Sequence, residues 1–344
     1  MSAFSSAAPH GARRRTIPNG AIGAWLLLCC ALVFAMVLLG GITRLTESGL
    51  SIVHWRPVTG WLPPMSDAAW AAAFDAYKAS PEFKQLNFWM TVDDFRQIFW
   101  LEFLHRLLGR LVGIVYFVPF LWFVVRHRLP PQLTLRLTFL LLLGGAQGVL
   151  GWYMVKSGLV DRPSVSQYRL AAHLGLAVFI YGYMLYTALG LRQFDGQADV
   201  SARPAAGWLT LLVFVTMIWG AFLAGIDGGA VFNTFPLMDG RLIPHGTLTL
   251  VPAWRNAFDN VALVQFLHRA LATLTVLATL AIWLRHRKSV PSGALGMAAF
   301  FAVAQFCLGV ATILSGASVY IAWGHQAGAM LLFTAAVWTW RETS

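Results

Sequence analysis

Four histidines occupy the same relative place in four apolar segments of this 344-residue chain: His105, His173, His268 and His325, the first and third both inside Phe-Leu-His-Arg. An ionisable side chain at bilayer depth is costly and persists where it serves something inside the bundle. Lone histidines in facing pairs suit the two axial positions of a heme iron, with an apolar, aromatic slot for the macrocycle. A tetrahedral zinc site would instead need three or four converging ligands, usually including cysteine or carboxylate. The four therefore read as two bis-histidine heme sites. His10, His54, His127, His245 and His286 fall in a tail, in loops or in basic clusters and stay outside this set.

Glu102 is the second informative position. Three residues before His105, it shares a helix face with that ligand, and it is the only acid inside an apolar span. A plain ion pair with Arg106 or Arg96 is the competing reading. Its counterpart in the second half is the uncharged Gln265, so the halves match in ligation and differ in acid–base capacity. One half could do chemistry while the other handles electrons. Arg106, Arg110 and Arg269 lie near the outer interface, where a guanidinium matches a propionate carboxylate or snorkels to lipid phosphate. Gln147 and Gln305 recur as well, and an interhelical hydrogen bond accounts for them.

These side chains need a scaffold, and composition names its class. Apolar residues make up 58% of the chain and charged residues 11%, with 15 tryptophans and a mean hydropathy of +0.65, far from soluble domains. Segments near 21–42, 100–125, 133–155, 169–191, 207–226, 260–284, 293–315 and 318–340 are each long enough to cross about 30 Å of hydrocarbon. Backbone groups in lipid must be satisfied within the segment. The expectation is an all-α integral membrane protein of eight transmembrane helices.

The formal charge of +11 is a topology signal and not a nucleic-acid footprint. Short connections and tails rich in Arg and Lys, among them Arg13–Arg15, Arg126, Arg128, Arg285, Arg287 and Lys288, mark the cytoplasmic side. Both termini then lie inside. From the inner helix ends, the four histidines are set back by about 23–30 Å at 1.5 Å per residue, at one level near the outer edge of the hydrocarbon. Cys29, Cys30 and Cys307 fall within apolar helices, with no CxxC or CxxCH pattern, so cysteine chemistry is not expected.

The halves resemble each other. Phe103-Leu104-His105-Arg106 matches Phe266-Leu267-His268-Arg269, Ala146-Gln147 and Leu150-Gly151 match Ala304-Gln305 and Leu308-Gly309, and His173 is answered by His325. An even number of spans per unit points both the same way, giving two tandem four-helix bundles about a pseudo-twofold axis along the membrane normal. The boundaries are a cytoplasmic tail at 1–20, an N-terminal half at 21–192, a cytoplasmic linker at 193–206 and a C-terminal half at 207–344. Long outer connections, 43–99 and 227–259, should cap the bundle.

Glu102-Phe103-Leu104-His105-Arg106, the run Gly-Ile-Thr-Arg-Leu-Thr-Glu-Ser-Gly-Leu-Ser at 41–51 and Asn233-Thr234-Phe235-Pro236-Leu237-Met238 resemble the heme A synthase family over essentially the whole chain. With no cysteine pair between 43 and 99, the chain is similar to the proteobacterial and mitochondrial type. The resemblance implies a membrane oxidoreductase that converts the C8 methyl of heme O to a formyl group, making heme A for cytochrome c oxidase. Two hydroxylations would give a geminal diol that loses water. It further implies heme b on His268 and His325 in the C-terminal half, heme O on His105 and His173 in the N-terminal half, and Glu102 in the oxidation. Heme O synthase, cytochrome c oxidase assembly factors and the lipid bilayer are the implied partners, in a bacterial inner membrane; whether the chain forms a homo-oligomer stays open. A di-heme b-type electron-transfer protein or quinol oxidoreductase would use the same histidines, and a repeat-built transporter would need no heme. Heme O synthase itself is disfavoured, since prenyl transfer calls for Asp-rich magnesium motifs and only Asp93-Asp94 comes near.

Overall fold

A computed structural model describes residues 19–56, 59–159, 165–192, 200–289 and 293–344. Most of the expected tail and half of the 193–206 linker lie outside them. The described residues are helical, apart from turns, loops and one isolated bridge between Met238 and Arg241. In chain order the helices are α1 (Asn19–Leu45), α2 (Asp67–Lys78), α3 (Val92–Val125), α4 (Pro131–Gly158), α5 (Gln167–Leu189), α6 (Arg203–Gly225), α7 (Asn256–Asp259), α8 (Val261–His286), α9 (Ala294–Leu314) and α10 (Val319–Glu342).

Seven helices among the described residues, α1, α3, α4, α5, α6, α8 and α9, are long and apolar enough to cross a membrane. The sequence led us to expect eight. α10 falls short because Gly324-His325-Gln326 dilutes its apolar run. The chain is a multi-pass membrane protein. Large apolar side chains such as Leu111, Phe117, Leu142 and Phe300 face outward, as a lipid-facing surface requires.

Local signals explain where helices begin. A capping box starts α3, with the Asp94 amide donating to Thr91 Oγ1 (3.4 Å) and the Thr91 amide to Asp94 Oδ2 (2.9 Å). α3 thereby gains two turns over the expected start near residue 100, and they pack within the first long connection. There Phe95 and Phe99 pack on Trp70, Phe74 and Tyr77 of α2, a helix not foreseen in the first long loop. Ser66 caps α2 by accepting from the Ala69 amide, and Asn260 caps α8 by accepting from the Leu263 amide. Proline occupies the first turn of α4 and of α6, where its missing N–H is harmless.

Each helix packs on its neighbours in the orders α1, α3, α4, α5 and α6, α8, α9, α10, with α5 returning to α1 and α10 to α6. α1, α5, α6 and α10 join the two sets. Apolar burial between helices drives little in lipid, so small residues and buried hydrogen bonds hold such seams. Gly182 of α5 seats Phe333 of α10, Tyr181 bonds Thr334 at 2.6 Å, and Gln326 and Trp323 of α10 donate to the Val37 and Leu38 carbonyls of α1, both at 2.8 Å.

Candidate functional site

Each of the four histidines stands on a glycine of a neighbouring helix. A Cβ built on Gly40 (α1) would lie 2.9 Å from His105 Nε2, on Gly151 (α4) 3.1 Å from His173 Cε1, on Gly220 (α6) 3.0 Å from His268 Cε1, and on Gly309 (α9) 3.0 Å from His325 Cε1. Any larger residue would push the ring out of place. All four histidines are partly buried among the helices.

His268 and His325 face one another with ring centroids 6.4 Å apart and planes at 89°. A metal–imidazole bond of about 2 Å, plus about 1.2 Å from nitrogen to ring centre on either side, puts two axial imidazoles about 6.4 Å apart. The spacing of the ring centres is therefore the one that a single iron between them would need. Nδ1 of His173, His268 and His325 is buried without a hydrogen-bond partner. His105 lies within electrostatic reach of His173, although among the described residues those rings make no such close contact. Gln147 Nε2 approaches His173 Nε2 at 3.4 Å, and Gln305 Nε2 approaches His325 Nε2 at 3.5 Å. These glutamines, read from sequence as interhelical hydrogen-bonding groups, do bridge neighbouring helices, and the residues they meet are the histidines. Among the described residues no three His, Cys, Asp or Glu side chains converge on a metal-ion site. Clefts lined by Gln132, Arg136 and Tyr183 and by Ser201, Pro204 and His286 open at the opposite helix ends and include none of the four.

Glu102 is buried, and its partner is Arg106 rather than Arg96. Arg106 donates to Oε1 from Nε (3.0 Å) and a terminal nitrogen (2.5 Å), while Ser51 Oγ and the Ile52 amide both donate to Oε2 at 2.7 Å. Arg96 is engaged by Asp93 and Asp67. In the other half Gln265 donates to the Phe232 carbonyl (3.2 Å). The arginines are spoken for by loop carbonyls: Arg106 by Ile52 (2.8 Å) and His54 (3.2 Å), Arg110 by Arg56 (2.8 Å), Arg269 by Phe232 (2.7 Å) and Thr234 (2.8 Å). They tether the loop caps to the helices, and Arg269 Nε is still without an acceptor.

Sequence reasoning missed the glycine seats, though Leu150-Gly151 and Leu308-Gly309 stood in the repeat. It also missed Glu82, which is 2% exposed beneath α2. Tyr77 Oη donates to Glu82 Oε2 (3.0 Å) and accepts from Asn87 Nδ2 (2.7 Å). Burial pushes the Glu82 carboxyl up to about 8; the Tyr77 hydrogen bond opposes this, and the charges of Glu102 and Glu47 add to it.

A family model described as cytochrome oxidase assembly protein matches residues 23–337. The chain is 48% identical over 321 residues to a heme A synthase of Parvibaculum lavamentivorans, covering 92% of this chain and 93% of that one. It is 46% identical over 333 residues to one of Nitrosospira multiformis, covering 93% of each, and 46% over 350 residues to one of Rhodospirillum centenum, covering 98% and 92%. With a family match over residues 23–337 and relatives of this identity along nearly its whole length, this chain belongs to the cytochrome oxidase assembly protein family.

Proposed function

We propose that this protein is a heme A synthase, a membrane oxidoreductase that turns the C8 methyl of heme O into a formyl group and so supplies heme A for cytochrome c oxidase. Its family and its full-length heme A synthase relatives support the activity. The single observation that carries the site is the 6.4 Å, perpendicular pairing of His268 and His325. We assign that pair to a resident heme b and His105 with His173 to heme O, with Glu102 at the reaction.

Heme b bound there supplies one-electron chemistry that side chains lack. The chain's own residues do the rest. The glycine seats leave each imidazole room to stand upright, and Gln147 and Gln305 lie against the nitrogens that would face iron. Arg106, Ser51 and the Ile52 amide fix the Glu102 carboxylate, which would take up a proton released as the methyl is oxidised or balance positive charge growing there. Gln265 can do neither, which is why the second half suits electron transfer.

The same reading takes α10 as the eighth span and divides the chain into a tail (1–20), two pseudo-twofold halves (21–192 and 207–344) and a linker (193–206). The parallel wiring of Arg106 to Ile52 and His54 and of Arg269 to Phe232 and Thr234 supports the repeat. Basic short connections support cytoplasmic termini in a bacterial inner membrane, where heme O synthase and oxidase assembly factors would be neighbours. Arg269, with one buried N–H lacking an acceptor, is an arginine that could meet a propionate.

The test is to supply heme O to the purified protein in air with an added one-electron carrier, because making a formyl group from a methyl removes electrons and adds an oxygen atom, and to read the extracted heme by mass and pyridine hemochrome. A formyl product is expected. Spectra that stay b-type, with no product, would favour the di-heme electron carrier.

A further inference from the structure

At the helix ends opposite the four histidines, α4 and α5 border a cleft of about 530 Å³ lined by Gln132, Leu135, Arg136, Phe139 and Tyr183. Its wall is aromatic: the Tyr183 ring stands edge-on to Phe139 at 5.9 Å and parallel to Phe179 at 6.2 Å. Leu135 and Phe139 are exposed, so this wall faces out of the bundle. Arg136 is exposed beside it and makes no hydrogen bond or ion pair among the described residues. α4 and α5 carry no acid at all. Arg126 after α3 and Arg192 after α5, both exposed, add positive charge at the same end, and neither pairs with an acid among the described residues. The other cleft at this end, beside Arg285 and His286, is smaller, about 360 Å³, and holds no phenylalanine, tyrosine or tryptophan.

Depth decides what fills the larger cleft. α4 begins at Pro131, so Arg136 stands roughly 7–8 Å inside the helix end at 1.5 Å per residue. A guanidinium at that level reaches headgroup phosphates or goes without an acceptor, and the second is costly. Gln132 lies one turn nearer the end on the face of Arg136, and Leu135 leads one turn inward to Phe139. The cleft thus joins an unmatched cation at headgroup depth to an apolar wall running toward the bilayer centre. A soluble anion would use the first and waste the second; a lipid with a negative headgroup uses both. We propose that this cleft binds an anionic glycerophospholipid, with its phosphate on Arg136 and Gln132 and an acyl chain along Leu135, Phe139 and Tyr183. In the topology given above the lipid belongs to the cytoplasmic leaflet. The site goes beyond the heme A synthase reading and does not depend on it.

Native mass spectrometry reads the site in the purified, delipidated full-length protein, titrated with dioleoyl phosphatidylglycerol or with zwitterionic dioleoyl phosphatidylcholine. The wild type should take up phosphatidylglycerol at about fivefold lower concentration than phosphatidylcholine, the usual worth of one arginine against an anionic lipid. Arg136→Gln should abolish that preference, and Arg136→Lys, which keeps the charge, should retain it. Phe139→Ala should weaken uptake of both lipids. Arg287→Gln removes an exposed charge stacked on Trp283 elsewhere at this end and should leave the preference intact. Glycerol phosphate, which offers the charge without the chains, should not displace the lipid. Equal uptake of the two lipids by the wild type overturns the proposal, as does equal loss of preference in Arg136→Gln and Arg287→Gln. Displacement by glycerol phosphate, or a Phe139→Ala variant that binds both lipids like the wild type, overturns it too.

Discussion

His268 and His325 present their rings at right angles, 6.4 Å apart, each resting on a glycine of the helix beside it. The seat matters as much as the ligand. Gly309→Val would drive a branched side chain into the His325 ring, and Gly220→Val into that of His268. Residues that orient metal-binding histidines are worth about 10–100-fold in affinity. Each variant should fold, insert and lose b-type heme by roughly that factor, measured as the Soret absorbance per protein during heme titration.

Glu102 and Gln265 occupy matching places with unlike chemistry. Glu102→Gln keeps the shape and the bonds to Ser51 and Ile52 that an amide can accept, but removes the charge. Heme A formation should fall by about 10²–10⁴-fold, the usual worth of a positioned acid or base, while heme occupancy is kept. Gln265→Glu should leave turnover nearly unaltered, as assayed by product heme per unit time.

The seam between α5 and α10 depends on Gly182, where an added Cβ would lie 2.8 Å from Phe333. Gly182→Val should destabilise the protein by about 1–3 kcal/mol, the usual cost of overpacking. Thermal unfolding in detergent checks this. The exposed Arg44–Asp227 pair at 2.7 Å joins the same two sides of the protein, yet Arg44→Ala should cost no more than about 1 kcal/mol.

Glu82 makes stability depend on pH. Its folded-state pKa is raised from 4.5 to about 8, so within that window the native protein holds a proton that the unfolded chain releases. Stability must then fall as pH rises from about 4.5 to about 8, and is unaffected by this group below the window. Unfolding of wild type and Glu82→Gln at several pH values should show the variant with the flatter dependence.

Much of this was legible in the sequence because bilayer physics writes in long apolar runs. The histidines announced themselves as polar interruptions repeated in register, and Glu102 as an acid inside a span. α10 was read as a span from the same logic, although His325 and Gln326 lower its apolarity. What stayed hidden lies off the repeating pattern. α2 is short and sits in a loop, and its role depends on Phe95 and Phe99 meeting Trp70 in space. Glu82 looks from sequence like any loop acid, since only folding removes its water. Gly40 and Gly220 carry no signal beyond being small, and Arg106 and Arg269 turn to loop carbonyls that sequence spacing alone does not bring near.

The central claim is that two hemes are held by two histidine pairs with separate duties. It is tested most directly by extracting heme from purified wild type, His268→Ala and His105→Ala after exposure to heme O, and identifying each by pyridine hemochrome and mass. The account predicts b-type heme with formyl product in the wild type, b-type heme without product in His105→Ala, and loss of b-type heme in His268→Ala. Equal heme b content in all three proteins, or formyl product from His105→Ala at the wild-type level, would contradict it.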